Sequence, residues 1–306
     1  MRAFVGVTDG DWYELLAAQA HLEEVNFWQP GGNRVFRVLE PGELFLFKLH
    51  SPQNFIVGGG VFAHATILPI SLAWDAFGIA NGARTLQEMR ERVDKYRRHA
   101  GDRSEDYSVG CILLEEPFFL PREQWAAVPE DFARNIVQGK TYDLELEPGA
   151  TLWRTLREAI ASTRAPMVAE VAAQRYGQPQ LVAPRLGQGT FRVLVTDVYQ
   201  RRCAVTGERT LPVLEAAHIQ PYAAGGRHSV RNGLLLRSDL HTLFDRGYLT
   251  VTPEAHLEVS RRIREEFENG REYYALHGRE LRLPPRSESQ PAPDLLRWHN
   301  QNIFLG

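Results

Sequence analysis

Alternating apolar and polar residues dominate the first half of the chain. From Phe36 to Ala63 the sequence FRVLEPGELFLFKLHSPQNFIVGGGVFA alternates, breaks at PGE and SPQN, and then reaches three consecutive glycines. A period of two, interrupted by turn residues, is typical of short strands joined by turns. The apolar run VGCILLEEPFFL and the shorter stretches WAAVP and NIVQGKTYDL predict further strands. We therefore expect a mainly β first domain over residues 1–150, built as a meander or small barrel.

Helical periodicity appears at three places. The stretch TLQEMRERVDKYRRHA predicts a helix with Thr85 as its N-cap and Glu88 completing a capping box. TLWRTLREAIAST predicts a helix at the start of a connector over residues 151–188, whose later part loses its periodicity at Gly and Pro. GTFRVLVTDVYQRRC has apolar residues at helical spacing and predicts a helix capped by Thr190, which opens a second domain over residues 189–306.

The stretch that follows Cys203 predicts two strands and a short helix. PVLEAAHI and NGLLLR are apolar strands joined by a loop rich in Gly, Arg and Ser, and DLHTLFDRG is a helix that Ser238 caps and Gly247 terminates. His241 and Asp245 are four residues apart, so they share one face of that helix. An imidazole and a carboxylate on one face suit a divalent cation.

This ββα unit contains a candidate for each group that phosphodiester hydrolysis requires, namely a base, a divalent cation and donors to the phosphate. His218 ends the first strand, and a neutral imidazole can take the proton from water. Asn232 opens the second strand, where its amide can fix the intervening loop and so orient His218. The arginines that can bind phosphates are Arg227, Arg231 and Arg237.

The string CAVTG…LEAAHI.P…NGLLL..DLH.LFD.G resembles the HNH (ββα-metal) nucleases, and in particular a subgroup found in bacterial restriction-type endonucleases. His218, Asn232 and His241 match the H-N-H signature, at spacings of 14 and 9 residues. The resemblance implies that these three are catalytic: His218 as general base, Asn232 as loop organiser, and His241 together with Asp245 as metal ligands. Mg²⁺ or Mn²⁺ is the expected ion, with Zn²⁺, Ni²⁺ or Co²⁺ as alternatives.

The sequence departs from the HNH pattern at one position. In many HNH nucleases the residue before the base is an Asp or His that also binds metal, and here it is Ala217. Either Glu215 or water completes the metal shell, or the site is weak, and the sequence leaves these alternatives open. His228 and His256 have no partner at a defined spacing, so we expect them to be ordinary polar residues.

The segment FWQPGGNRVFRVLEPGELFLFKLHSPQNFIVGGGVF resembles the PUA-like barrel superfamily, which includes the EVE, ASCH and SRA domains. Several such domains accept a modified base that is flipped out of the duplex into an aromatic pocket. Reading a flipped base requires ring faces for stacking and a few polar groups for the base edge. The candidates for this base-binding pocket are Trp28, Phe27, Trp74 and Asp75, with Trp28 expected on an exposed loop.

Composition and charge limit the class of protein. A chain of 306 residues suits two domains. It has no apolar run long enough for a bilayer, and acidic residues interrupt its start before a signal peptide could form, so we expect a cytoplasmic protein without membrane contacts. The only cysteines, Cys111 and Cys203, are far apart, which predicts neither a disulfide framework nor a structural zinc site.

Charge is distributed unevenly between the two predicted domains. Residues 1–150 hold 14 Lys and Arg against 22 Asp and Glu, a net charge of −8. Residues 185–285 hold 15 against 12, a net charge of +3. The acidic part cannot hold nucleic acid by bulk charge and would need a pocket, whereas the later part carries arginines that can meet phosphates.

Together these patterns predict an α+β protein with an N-terminal PUA-like β-barrel domain, a helical connector and a C-terminal ββα-metal HNH domain. The predicted function is modification-dependent (type IV-like) restriction, in which double-stranded DNA carrying a modified base, such as a substituted cytosine, is cut. The alternatives are a DNA-binding reader with a weak or inactive nuclease site, and an HNH nuclease with a sequence-specific or RNA target. Since one HNH site cuts one strand, we also expect a homodimer.

Overall fold

The computed structural model describes residues 1–97, 106–133, 135–163 and 187–306. These residues fold into two compact units that divide the chain into Met1–Pro184 and Arg185–Gly306, and both units contain helices and strands. Most of the predicted connector, residues 164–186, lies outside the described residues. None of the helices in the described part is long and apolar enough to cross a membrane.

A single mixed sheet forms the centre of the first unit. Its strands are β1 (Arg2–Thr8), β2 (Glu24–Gln29), β3 (Leu44–Leu49), β4 (Phe55–Pro69), β5 (Ser108–Phe119), β6 (Ala126–Ala127) and β7 (Gly139–Asp143). They lie in the order β2-β5-β4-β3-β1-β7, with β6 paired to β4. Only the β1–β3 pair is parallel among these described strands. The helices of this unit are α1 (Gly10–Ala17), α2 (Ile70–Phe77), α3 (Leu86–Asp94) and α4 (Gly149–Thr163).

The predicted closed barrel is not found in the described part of the chain. The edge strands of the sheet are β2 and β7, and no pairing joins them there. Alternation along a sequence shows which residues share a face, but not which strand lies beside which. The prediction of a barrel also lacked one strand: β1, which lies between β3 and β7 in the sheet, was not among the predicted strands.

Aromatic rings fill one side of this sheet. Phe45 and Phe47 are fully buried there, and Trp12 from α1 meets Phe47 edge to face at a centroid distance of 5.0 Å. Phe27 from β2 lies 4.7 Å from Phe45 in the same cluster. Edge-to-face contacts of this kind add to the stabilisation from burial alone, so this cluster organises the first unit.

The helix predicted from Thr85 is confirmed. It runs from Leu86 to Asp94, and the Thr85 hydroxyl accepts a hydrogen bond from the backbone N–H of Glu88 at 3.1 Å. The Glu88 carboxylate in turn accepts the backbone N–H of Arg84 at 2.7 Å, one residue earlier than an ideal capping box.

The second unit contains two small antiparallel sheets, and its apolar core lies between them and the helices. Its strands are β8 (Leu214–His218), β9 (Gly233–Arg237), β10 (Leu249–Val251) and β11 (Leu257–Val259), where β8 pairs with β9 and β10 with β11. Its helices are α5 (Gln188–Val198), α6 (Ser238–Asp245), α7 (Arg262–Phe267), α8 (Arg271–Tyr274) and α9 (Pro293–Asn302). Phe191, Leu235 and Phe244 are among the fully buried residues that join these elements.

Both cap residues predicted for this unit are wrong. Thr190 lies inside α5, which begins after Gly187, and its side chain is buried rather than at the helix end. Ser238 is the first residue of α6 and Arg237 is its N-cap, because β9 runs into the helix without a linker. The predicted helix end is confirmed, since α6 stops at Asp245, two residues before Gly247.

The C-terminal segment docks on its own chain. Leu296 of α9 belongs to the core of the second unit. His299 is 2 % exposed, lies 3.8 Å from the Phe244 ring in a parallel stack, and its Nε2 lies 3.2 Å from the Phe244 carbonyl oxygen. The backbone N–H of Leu305 donates to Gly247 at 2.9 Å. The apolar end of the chain therefore covers α6 from within the same molecule.

Protonation of His299 should destabilise the second unit. Burial, only partly opposed by the Phe244 carbonyl and Asp245, lowers the pKa of His299 to about 4. The unfolded chain then binds more protons than the folded one between pH 4 and the ordinary value of 6.5, so stability present at neutral pH is lost as the pH falls. Between pH 7.5 and pH 5 the loss from this group should be about 2 kcal/mol.

Denaturant unfolding of the wild type and of His299→Gln at both pH values measures the contribution of His299 to the free energy of unfolding. The glutamine does not titrate, so the variant should lose about 2 kcal/mol less than the wild type on acidification. An equal loss in both proteins would contradict a neutral buried His299.

Candidate active site

The predicted ββα unit is present and sets the geometry of the site. β8 and β9 pair antiparallel, with His218 opposite Gly233 and Glu215 opposite Leu236. α6 follows β9 directly and packs against both strands. As a result, the last residue of β8 and the polar face of α6 both border one pocket.

A buried amide holds the loop between the two strands. Asn232 is 1 % exposed, and its Nδ2 donates to the carbonyl oxygens of Gln220 and Arg227, both at 2.9 Å. Its Oδ1 accepts the backbone N–H of Gln220 at 2.8 Å. Gly226 permits this closure, because a Cβ there would lie 1.9 Å from the Gln220 carbonyl oxygen. Asn232 thus ties both ends of the loop that follows His218.

The His218 imidazole is fixed by an aromatic ring. Phe191 of α5 stacks on it at a centroid distance of 4.0 Å and an interplanar angle of 14°. This approach depends on Gly233, since a Cβ there would lie 2.4 Å from Val195 and 3.2 Å from the Phe191 ring. In the Asn-Gly pair at the start of β9, Asn232 therefore holds the loop, and Gly233 leaves room for the Phe191 ring beside His218.

Burial keeps His218 neutral. Desolvation, followed by repulsion from His228, lowers the pKa of His218 to about 4, although Asp245 acts in the opposite direction. A neutral imidazole retains a lone pair, so at pH 7 His218 can accept a proton. This is the charge state that a general base requires.

His241 lies between two carboxylates. Its Nδ1 is 2.6 Å from Oε2 of Glu215, and its Nε2 is 3.2 Å from Oδ2 of Asp245. Burial lowers the pKa of His241, but the hydrogen bonds to Asp245 and Glu215 outweigh burial, so the pKa is raised overall. The site therefore contains two histidines whose surroundings favour opposite protonation states.

The donor set on α6 fits a divalent cation. Two ligand atoms at right angles on one ion, each bonded at about 2.1 Å, lie about 3 Å apart, which is close to the separation between His241 and Asp245. Glu215 holds the other ring nitrogen of His241, as a carboxylate behind a metal-bound histidine does. Within the described residues, no three His, Cys, Asp or Glu side chains form a complete metal-binding group. The remaining ligands would be water and phosphate oxygens.

These groups border an open pocket of about 520 Å³ in the second unit. Its lining residues come from α5, β8, the following loop and α6: Gln188, Phe191, Arg192, Glu215, Ala216, His218, Pro221, Tyr222, His241 and Asp245. Ala217 is not among them, because its side chain is fully buried in the core. The position at which many HNH nucleases carry a metal ligand therefore faces the core in this protein.

The predicted phosphate-binding arginines do not line this pocket. Arg237 is bound to Asp239 by two hydrogen bonds of 2.6 and 2.7 Å, which raise its pKa and occupy its guanidinium. Arg227 and Arg231 are exposed, but the pocket wall contains Arg192 of α5 instead. Arg192 was missed because it lies 26 residues before His218, on a helix whose apolar face alone was informative in the sequence.

His228 is a second residue that the sequence pattern did not identify. Its Nδ1 lies 2.9 Å from Nε2 of His218, although we expected an ordinary polar residue. Because no regular spacing relates a loop residue to the end of a strand, the sequence could not show that His228 lies beside His218. The one indication in the sequence was that His228 lies in the loop between His218 and Asn232.

The base-binding candidates in the first unit lie on β2 and α2. Phe27 packs into the aromatic core rather than an open pocket, since it faces the side of β2 that meets Phe45 and Phe47. Trp28 is not on a loop as predicted but lies within β2, half-buried. Trp74 is half-buried and Asp75 exposed, both on α2.

A polar cluster surrounds Trp28. Its indole N–H donates to the carbonyl oxygen of Asn81 at 3.0 Å, and the indole of Trp12 donates to the same oxygen at 3.1 Å. Asn26, on the same face of β2 as Trp28, donates to Oδ1 of Asn81 at 2.9 Å. Oδ1 of Asn26 is buried and has no hydrogen-bond partner among the described residues. Since Asn26 is 0 % exposed, this acceptor is enclosed by the protein and is not open to a ligand in this structure.

Comparison with known proteins finds a family match within the second unit. Residues 203–252 match the family described as HNH endonuclease, and this range contains the whole His218, Asn232, His241 and Asp245 arrangement. No curated protein matches the chain significantly. A solved structure described as "Modification dependent TagI restriction endonuclease" is 15% identical, covers 98% of this chain and 81% of that chain, and superposes with a TM-score of 0.32. A superposition with that score carries no argument about fold or activity.

Arg192 and Arg237 should differ in their effect on DNA binding. We expect Arg192→Gln to weaken binding and to reduce the salt slope of log Kd by about one counterion, because one phosphate contact is lost. Arg237→Gln should leave the slope unchanged and lower stability instead, since it leaves the half-buried Asp239 unpaired. Fluorescence anisotropy on a short duplex over a salt series measures both slopes, and a reduced slope for Arg237→Gln alone would reverse this assignment.

Proposed function

Since residues 203–252 form an HNH endonuclease domain and the chain is therefore a nuclease, we propose that it is a modification-dependent restriction endonuclease. The second unit hydrolyses DNA phosphodiester bonds, and the first unit reads a modified base, a substituted cytosine in our proposal. One observation carries the catalytic part: the neutral His218 and the His241–Asp245 pair line the same pocket.

His218 acts as the general base. Its ring is held by Phe191 and is kept uncharged by burial, so its lone pair is available for the proton of the attacking water. As that proton moves to the imidazole, the water oxygen bonds to phosphorus, the bond from phosphorus to the 3′ oxygen breaks, and the 3′ oxygen takes a proton from a water molecule of the open pocket. The products carry a 5′-phosphate and a 3′-hydroxyl.

His241 and Asp245 would hold the divalent cation that HNH endonucleases generally use. When bound, that cation neutralises charge on the phosphate and on the leaving oxygen. Glu215 orients His241 through Nδ1, which keeps Nε2 directed at Asp245. Arg192 binds a phosphate at the pocket wall, and Arg227 and Arg231 contact the DNA backbone outside it.

The first unit reads the base through a pocket rather than through bulk charge. Its sequence is acidic, so recognition by a flipped base suits it better than a broad phosphate interface. Trp28 supplies the ring for stacking, and the buried amide acceptor of Asn26 lies on the same strand face. The resemblance of this segment to PUA-like domains supports the same role, with Trp74 and Asp75 as further candidates.

A homodimer completes the proposal, because two sites are needed to cut both strands. The C-terminal segment docks on its own chain, so another surface would have to form the interface. Sedimentation at micromolar concentration should give twice the mass of one chain, with and without DNA. A monomeric mass in both conditions would contradict the dimer.

Cleavage assays on matched DNAs test the proposed function. Plasmids that differ only in cytosine modification are incubated with the protein in Mg²⁺ or Mn²⁺, and we expect cutting of modified DNA alone. His218→Ala should lower the rate by about 100-fold or more, because the base is lost, while leaving DNA affinity intact. His256→Ala is the matched control, since His256 is an exposed histidine of the same unit.

Each alternative gives a different outcome in these assays. Absence of cutting on every substrate would leave a DNA-binding reader, and equal cutting of both plasmids would favour a sequence-specific nuclease. Trp28→Leu should reduce the preference for modified DNA by about tenfold, as loss of one base–ring stack does. Trp153→Leu on α4 replaces a half-buried tryptophan of the same unit and should leave the preference unchanged.

A further inference from the structure

His228 and His218 form a direct pair in the pocket of the second unit. Nδ1 of His228 lies 2.9 Å from Nε2 of His218, which is a hydrogen-bond distance, and the two rings meet at 62°. Neither partner needs a charge for this bond, because one neutral imidazole can donate and the other accept. The pair is therefore compatible with the neutral state that burial gives His218.

Both rings of the pair are held from outside. Tyr222 stacks on His228 at a centroid distance of 5.0 Å and an interplanar angle of 8°, while Phe191 stacks on His218. The loop that carries His228 is tied to β9 by the Asn232 amide, through the carbonyl of the preceding residue, Arg227. The relative orientation of the two imidazoles is thus set by packing and by a buried hydrogen bond rather than by the pair alone.

Only one direction of this hydrogen bond leaves His218 able to act as a base. If His228 donates, Nε2 of His218 uses its lone pair in the bond and Nδ1 carries the proton, so neither nitrogen can accept another. If His228 accepts, Nε2 carries the proton and Nδ1 keeps a lone pair. Within the described residues Nδ1 of His218 makes no hydrogen bond, and His218 lines the open pocket, so Nδ1 is the nitrogen left for water.

We propose that His228 is a positioning residue, which accepts the Nε2–H of His218 and so presents Nδ1 as the basic nitrogen. This inference rests on the proposed function of His218. In the reaction an O–H bond of water breaks and an Nδ1–H bond forms, and the electron pair stays on the water oxygen. His218 is then an imidazolium, and its Nε2–H bond to His228 becomes charge-assisted, which strengthens it.

The stronger hydrogen bond offsets part of the cost of placing a positive charge on His218. His218 is half-buried against Phe191, where desolvation disfavours a positive charge, and repulsion from any charge on His228 or His241 would add to this while Asp245 attracts. The proposed role therefore requires His228 to be neutral, as an acceptor of the Nε2–H is. A hydrogen bond that is stronger in the charged state than in the neutral one favours the transition state over the ground state. His228 therefore acts on the rate through His218 and not through DNA affinity.

Two substitutions separate the hydrogen bond from the ring stack. His228→Phe keeps a ring against Tyr222 but removes the acceptor, whereas His228→Asn places a carboxamide oxygen near the position of Nδ1 and loses the ring. We expect His228→Phe to lower the single-turnover cleavage rate about 10- to 100-fold, the value of one charge-assisted hydrogen bond, with unchanged DNA affinity. His228→Asn should stay within about threefold of the wild type.

His256→Phe is the control for adding a ring at an exposed histidine of the same unit. It should leave rate and affinity unchanged. Thermal unfolding of all three variants identifies any loss of folding, and the asparagine variant keeps the test decisive if the phenylalanine variant is unstable. A folded His228→Phe that cuts at the wild-type rate would overturn the inference, as would a His228→Asn as slow as His228→Phe.

Nitrogen NMR of the histidine side chains tests the inference without any cleavage. In the wild type, ¹⁵N–¹H correlations should show His218 with its proton on Nε2, and in His228→Phe a mixture of both tautomers. A wild-type His218 with its proton on Nδ1 would overturn the inference. If the wild type cuts no DNA, the proposed function fails, and the tautomer of His218 still decides whether His228 holds it as described.

Discussion

The Asn232 side chain has three backbone groups to satisfy inside the protein, and all three belong to the loop that leaves His218. Its two donor bonds reach Gln220 and Arg227, and its acceptor holds the Gln220 N–H, so the loop is closed at both ends by one buried amide. Loss of the amide would leave these groups unpaired in a place that water reaches poorly, which is why an isosteric apolar residue cannot replace it. The position of His218, the position of His228 and the shape of the pocket all follow from this closure.

The site also contains two histidines whose pKa values are shifted in opposite directions by their surroundings. His218 is stacked on a ring, and its hydrogen-bond partner within the described residues is another histidine, so desolvation dominates and lowers its pKa. His241 is also buried, yet two carboxylates face its two nitrogens and raise its pKa overall. Both roles, general base and metal ligand, use a neutral imidazole, and the carboxylates beside His241 provide the negative charge that attracts a cation, whereas none is hydrogen-bonded to His218 in the described residues. The ββα unit provides both by placing one histidine at a strand end and the other on a helix.

The sequence was informative where the function depends on spacing within one element or between adjacent elements. His241 and Asp245 could be placed on one helix face because residues four apart in a helix lie on the same side. His218 and Asn232 could be assigned because the sequence around them resembles the HNH signature. His228 and Arg192 could not be placed, because one lies in a loop and the other on a helix distant in sequence, and only tertiary packing brings them to the pocket. In the first unit, alternation identified β3 and β4 but not their order in the sheet. Trp28 was assigned to a loop because β2 is short and its mixed composition gave no clear period.

Because Ala217 has no side chain that binds a metal, the proposed cation would have fewer protein ligands than in many HNH nucleases. Ala217 faces the core opposite Leu234, so a carboxylate there would be buried away from the pocket. Glu215 lies behind His241, where its Oε2 is 2.6 Å from Nδ1, the nitrogen that points away from Asp245. Two protein ligands are few for Zn²⁺, which favours three or four, but they suit Mg²⁺, which keeps several waters and takes phosphate oxygens as ligands. In the proposed mechanism the DNA phosphate therefore contributes to cation affinity, so the two bind cooperatively, and the complete catalytic arrangement forms only when DNA is present.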